Sequence, residues 1–444
     1  MAEDLTKGRP FPVILKFSLP IIGGNLFQLF YTLADTIIVG QTIGESALAA
    51  VGATTVFVYF ILCFIQGLTN GFSIILAQSI GAHDYDASRK NIAASIYISV
   101  ACTVVITVVT CALTPAIIRL MDVPEDIRGD ASTYLFVVLA GTGATILYNL
   151  ISNILRALGD SRLPLIYLVF SSLLNVVLDI VFIVPCKMGV GGAAFATVLS
   201  QLIAGILSFI SGIKRYDVLR LKKEDWTGAV RCIGSNTCLG FLMGFQMSVM
   251  CIGQLVMQTS VNSLGTEAIA GYTAATKVDQ LSVLVNNAFI TAIAAYVAQN
   301  YGAMEYERIR KGVWTALLIT EATDFTMIAI ILLIQPYIVP MFVTDASSAI
   351  YDYAWDFFKI TLPFYPMLGL LSVYRTSLQA MGNSLAPLIA CIVELFARCS
   401  SSILLGCAIG YVGIVLSSPF AWIGADLIVI PSYIHMIRRL KTHM

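Results

Sequence analysis

Charge is scarce in this chain of 444 residues: only 12% are Asp, Glu, Lys or Arg, about half the ~25% of soluble domains. With 58% hydrophobic residues and a mean hydropathy of +0.86, that scarcity excludes an ordinary water-soluble protein. The 26 basic and 26 acidic residues cancel, and no basic patch remains to suggest a nucleic-acid partner. Histidine is limited to His83, His435 and His443, all at the ends of apolar runs, which argues against metal or histidine catalysis inside a bilayer. No two of the ten cysteines form C-x-x-C. Cys63, Cys102, Cys111, Cys251, Cys391, Cys399 and Cys407 lie in apolar runs and read as packing residues rather than disulfides or metal ligands. There is no G-x-x-x-x-G-K-[ST], no H-E-x-x-H and no G-x-S-x-G, so ATP hydrolysis and the common hydrolytic chemistries have no motif here. No cofactor is expected.

What the chain has instead is length without charge. Ile92–Ala112, Leu163–Val184 and Leu281–Tyr301 each carry at most one charge, and about 20 apolar residues suffice to cross ~30 Å of hydrocarbon. The pattern predicts an all-α integral membrane protein with twelve transmembrane helices. Six fall roughly at Val13–Gly40, Gly52–Ile80, Ile92–Pro115, Ser132–Asn153, Leu163–Pro185 and Gly191–Ile213. Six more fall at Cys232–Val261, Ala268–Ala298, Val313–Pro336, Trp355–Ser377, Leu385–Ala408 and Gly413–Met436. The polar N-terminus, MAEDLTKGRP, leads into a first span rather than a cleaved signal peptide.

The second six repeat the first. GESALAAV at Gly44–Val51 returns as GTEAIAGY at Gly265–Tyr272. AQSIGA at Ala77–Ala82 returns as AQNYGA at Ala298–Ala303, and LRALGDS at Leu155–Ser161 as LQAMGNS at Leu378–Ser384. Parallel duplication around a cleft is a common transporter plan. It predicts a lobe at residues 1–213, a linker at 214–231 and a homologous lobe at 232–444. All but six of the 26 Lys and Arg (Arg119, Arg128, Lys187, Lys277, Lys359 and Arg398) fall on one side of that topology. Positive charge marks the cytoplasm, so both termini and the linker are expected there.

An ionisable group in a bilayer costs about 2.5–3.5 kcal/mol on insertion scales, so each one needs a reason. Asp35, in span 1, falls about 12 Å outward of its span's midpoint at roughly 1.5 Å per residue. Asp179 lies in the outer half of span 5, and Asn175 precedes it by one helical turn on the same face. Tyr134 and Thr197 reach similar depth from spans 4 and 6. Such an oxygen-rich set suits Na⁺, and paired carboxylates in low dielectric can hold one proton between them. The plain alternative is that each Asp bonds a backbone carbonyl or lines a wetted loop mouth. By the repeat, Asp35 corresponds to Val256, Asn175 to Arg398 and Asp179 to Ser402, so duplication does not demand the pair. In the second half Glu394 and Arg398, four residues apart, can neutralise each other. Lys277, Glu321, Asp324 and Asp426 also fall inside drawn spans, and Lys277 joins Glu394 and Arg398 as an expected buried charge. Pro20 interrupts span 1 and permits a bend before Asp35.

The six-plus-six arrangement, L-R-A-x-G-D-S after span 4, N-V-V-L-D in span 5, and L-P-I-I followed by A-D-T-I-I-V-G in span 1 resemble the multidrug and toxic compound extrusion (MATE) family. The resemblance covers essentially the whole chain. It implies a prokaryotic inner-membrane antiporter of organic cations and amphiphiles, working as a monomer and driven by Na⁺ or H⁺. It also implies a cleft between two six-helix lobes. Asp35, Tyr134, Asn175, Asp179 and Thr197 match the cation site of the family's DinF-like branch, Asn149 is a further match, and Pro20 matches that branch's bending proline. Another branch keeps an acid in span 7 and an aspartate within span 10. Here span 7 has Gln254 and Gln258, and the only carboxylate in span 10 is Asp356 at its edge. A lipid-linked saccharide flippase of a related superfamily and an intramembrane enzyme are the alternatives.

Overall fold

The computed structural model describes residues 4–338, 340 and 348–441, and among them it is helical with no strand. Eleven of the described segments are long and apolar enough to span a membrane. In chain order the helices begin with α1 (Pro10–Thr42), α2 (Glu45–Gly81), α3 (Tyr85–Leu120), α4 (Arg128–Ala140) and α5 (Thr142–Ala157). Next come α6 (Arg162–Ile183), α7 (Gly189–Arg215), the short α8 (Lys223–Gly228), α9 (Val230–Asn262), α10 (Thr266–Gly302) and α11 (Tyr306–Ile338). The last are α12 (Ser348–Thr361), α13 (Tyr365–Ala380), α14 (Leu385–Ile409) and α15 (Tyr411–Lys441). Helices α12 and α13 together make one span, and the bent pair α4–α5 completes twelve.

The fourth span is where the structure departs from the drawn helix. It breaks by 44° at Gly141, between α4 and α5. A Cβ on Gly141 would stand 2.1 Å from Val198 Cγ2 on α7, closer than any side chain tolerates, so only glycine fits.

Packing separates two compact units. Unit 1 holds Leu19–Phe245, and unit 2 holds Leu5–Ser18 with the chain from Gln246 onward. The polar stretch 214–231 packs within unit 1. Trp226 meets Tyr97 edge-on at 5.1 Å, Asp225 pairs with Arg89 at 3.5 Å, and Ala229 buries against Ala93 and Ala94. The first half of α9 then lies against α2. Added Cβ atoms would stand 2.3 Å from Met243 O at Gly67 and 2.6 Å from Gly240 Cα at Gly71. Glycines spaced by four let two helix backbones approach this closely.

The repeated LRALGDS motif is a helix junction. Gly159 takes φ +84°, a left-handed conformation open to glycine, and Asp160 follows it. Asp160 Oδ1 accepts from the N–H groups of Arg162 and Leu163 at 3.0 and 3.1 Å, capping α6. Its Oδ2 accepts from Tyr216 at 2.6 Å and pairs with Arg215 at 3.3 Å. Burial and the Asp160 carboxylate both push the Tyr216 hydroxyl's pKa upward. In unit 2, Gly382 repeats the turn at φ +86° and Asn383 caps Ala386 N at 3.3 Å. Leu5, 1% exposed, is tied to the same unit: its N–H donates to Gln299 Oε1 at 3.2 Å and its carbonyl accepts from Asn300 at 3.1 Å.

Candidate functional site

Unit 1 brings the sequence-selected polar residues of α1, α4, α6 and α7 together. The side chains of Asp35 on α1 and Asp179 on α6 lie in hydrogen-bonding contact, and Asp179 is fully buried at 0% exposure. The Asn175 amide, turned so that each end meets its complement, donates to Asp179 Oδ2 at 2.7 Å. Its oxygen accepts from the backbone N–H and the hydroxyl of Thr197 on α7 at 3.1 and 3.2 Å. The single proton of that hydroxyl is shared between the Asn175 oxygen and the Ala193 carbonyl, 3.1 Å away on its own helix. Tyr134 of α4 is within electrostatic range of both carboxylates.

One oxygen of each carboxylate, Asp35 Oδ1 and Asp179 Oδ1, is buried and meets no donor among the described residues. Two carboxylates in contact away from water repel strongly, and a shared proton or one monovalent cation removes the conflict. Chemically, such an arrangement can hold a single positive charge.

Tyr31 belongs to this set and was missed from the sequence. It lies beside Thr197 and within electrostatic range of Asp35, Asp179 and Tyr134. The signal was present, because Tyr31 precedes Asp35 by one turn of α1 just as Asn175 precedes Asp179. Asn149 donates to the Thr145 carbonyl on its own helix at 2.9 Å, and Thr145 in turn donates to Gln201 at 2.7 Å. Pro20 lies inside an unbroken α1 and supplies no backbone N–H to it.

The charges of unit 2 differ from the expected pair. Glu394 accepts from Arg398 at 3.1 Å, as its spacing predicts, but also from Arg375 of α13 at 2.5 Å. The pair is a buried triad of two cations and one anion. Lys277 is exposed on α10 and is not a buried charge. Asp279, another residue passed over in the sequence, accepts from the Tyr365 hydroxyl.

Comparison with known proteins places these observations in a family. A family model described as MatE matches residues 20–181 and again 243–404, with the same shift that relates Asn175 to Arg398. The chain is 28% identical over 392 residues to the probable multidrug resistance protein YpnP of Bacillus subtilis strain 168, covering 87% of this chain and 86% of that one. Among solved structures, a MOP superfamily transporter from Pyrococcus furiosus Vc1 superposes with a TM-score of 0.91 at 23% identity over 99% of each chain. An outward-facing multidrug resistance MATE transporter superposes with a TM-score of 0.89 at 24% identity over 100% of each.

Proposed function

The chain belongs to the MATE family of multidrug efflux transporters, and from that premise we propose that it is a secondary antiporter exchanging organic cations and other amphiphiles for Na⁺ or H⁺. One observation carries the reading: two carboxylates, Asp35 and Asp179, meet in unit 1 with one oxygen each unsatisfied. A site that needs a single positive charge to be stable suits a coupling ion better than a permanent structural bridge.

In this account, ion occupancy of the pair favours one packing of α1 around Pro20 and release favours another. Substrate and ion then exchange through their different affinities for the two states. Asn175, Thr197, Tyr31 and Tyr134 orient the carboxylates and supply neutral oxygen or hydroxyl contacts. Asn149 lies outside the immediate hydrogen-bond set and would act from the surrounding wall. The protein works as a monomer in the prokaryotic inner membrane with both termini in the cytoplasm, a reading supported by the one-sided distribution of Lys and Arg.

Efflux of a fluorescent organic cation from reconstituted vesicles, under a Na⁺ gradient alone and a pH gradient alone, tests the proposal. Acceleration by one of the two gradients is expected. Movement of a lipid-linked saccharide without gradient-driven dye efflux would replace antiport with lipid flipping.

A further inference from the structure

Unit 2 has its own set of carboxylates, on α11 and α15. Glu321 and Asp324 lie one turn apart on α11. Asp324 is 1% exposed, and its Oδ1 accepts from Asn286 of α10 at 2.7 Å. Its other oxygen, Oδ2, is buried and meets no donor among the described residues, and the same holds for Glu321 Oε1 and for Asn286 Oδ1.

These orphan oxygens are not scattered. A Cβ built on Gly369 of α13 would stand 2.7 Å from Asp324 Oδ2 and 3.0 Å from Glu321 Oε1. Two unpartnered carboxylate oxygens from one helix thus converge on the same point against bare backbone of another. Asp426 of α15 adds an independent sign: it is 5% exposed, both of its carboxylate oxygens lack a donor, and it lies within electrostatic range of Glu321.

The surrounding charges do not cancel this. From α10, Asp279 is engaged by the Tyr365 hydroxyl of α13, a neutral partner. From α13 and α14, Arg375 and Arg398 are both committed to Glu394. Tyr374 of α13 lies near Asp426, which also feels Arg375 and Glu394. With every carboxylate ionised, the interior of unit 2 holds an excess of negative charge. Buried like charges of that kind are held only by protons or bound cations.

We propose that Glu321 and Asp324, backed by Asn286 and the bare face of Gly369, form a second site for a small monovalent cation, Na⁺ or H⁺, separate from the Asp35–Asp179 pair. The hard oxygen donors of the two carboxylates suit an alkali cation, and a proton held between them meets the same need. Gly369 is required because any side chain there would fill the point on which the oxygens converge.

The test uses the full chain purified with Asp35→Asn and Asp179→Asn together, which silences the first site and separates the two claims. Radiolabelled Na⁺ is bound to this protein, and in parallel a carboxyl-reactive carbodiimide is applied across a pH series with the modified residue mapped by mass spectrometry. Residual Na⁺ binding that falls at least about tenfold on adding Glu321→Gln, Asp324→Asn or Gly369→Ala establishes a sodium site. Without bound Na⁺, carbodiimide modification of Glu321 or Asp324 that rises on acidification and falls with Gly369→Ala establishes a proton site. Glu321→Gln keeps the variant set informative if the added methyl at Gly369 disturbs folding, because its amide can donate to Asp324 Oδ2. Neither Na⁺ binding nor acid-dependent modification, or Na⁺ binding indifferent to all three changes, overturns the proposal.

Discussion

Asp179 is wholly enclosed yet leaves one carboxylate oxygen without a donor, and this is the most informative fact at the scale of single residues. An orphan of that kind costs about 1–3 kcal/mol or more for a charged group unless something mobile fills it. The Tyr31 hydroxyl, beside Thr197 and within range of both carboxylates, forms one wall of the site. Tyr31→Phe should weaken ion affinity a few-fold, the effect of losing about 1 kcal/mol of net hydrogen bonding, while leaving folded yield unchanged; equilibrium ion binding measures it. In unit 2, Glu394→Gln strands two guanidinium groups and should cost about 3–5 kcal/mol, seen as a collapse of folded yield. Adding Arg398→Gln should restore yield only in part, because Arg375 still lacks its anion; full recovery requires Arg375→Gln as well. The Asp35, Asn175, Asp179 and Thr197 constellation was legible because helical spacing and depth alone align those residues. Arg375 and Asp279 were not, since their partners, Glu394 and Tyr365, are identified only by the packing of separate helices. Arg375 also sits near the C-terminal end of its span, where its charge reads as one of the loop-flanking majority.

At the scale of elements, the break between α4 and α5 positions Tyr134 on the first limb of the fourth span, and a packing contact maintains it. Hydropathy drew one continuous helix there, because a glycine in an apolar run carries no sign of the valine opposite. Gly141→Ala should lower folded yield and thermal midpoint, and Val198→Ala should rescue it in part by removing the two methyl groups that the new Cβ meets at 2.1 and 2.5 Å. A second element-level expectation concerns the junction after α7. Tyr216 donates to a buried carboxylate, a bond worth about 1.5–3 kcal/mol when one partner is charged. Because folding raises this hydroxyl's pKa, its stabilisation is present below the unfolded tyrosine value near 10 and fades as pH climbs above it. Tyr216→Phe should therefore destabilise at neutral pH and flatten the alkaline limb of a pH–melting curve.

At the scale of the whole molecule, duplication was plain from short matched strings, and the family model recovers both copies. The halves share a helix plan and junction turns but not their chemistry: the carboxylate pair of unit 1 has Val256 and Ser402 as its counterparts. A cysteine placed near Lys222 should resist impermeant thiol reagents in intact cells and one placed after span 1 should react, if the termini are cytoplasmic. The central claim is that Asp35 and Asp179 carry the coupling ion as one unit, and transport by the purified protein in vesicles tests it most directly. Wild type, Asp35→Asn and Asp179→Asn are compared for organic-cation efflux under a pure Na⁺ gradient and a pure pH gradient, with equilibrium substrate binding measured alongside. Both variants should bind substrate and lose gradient-driven efflux. Wild-type efflux by either variant, under the gradient that drives the wild type, would contradict the claim.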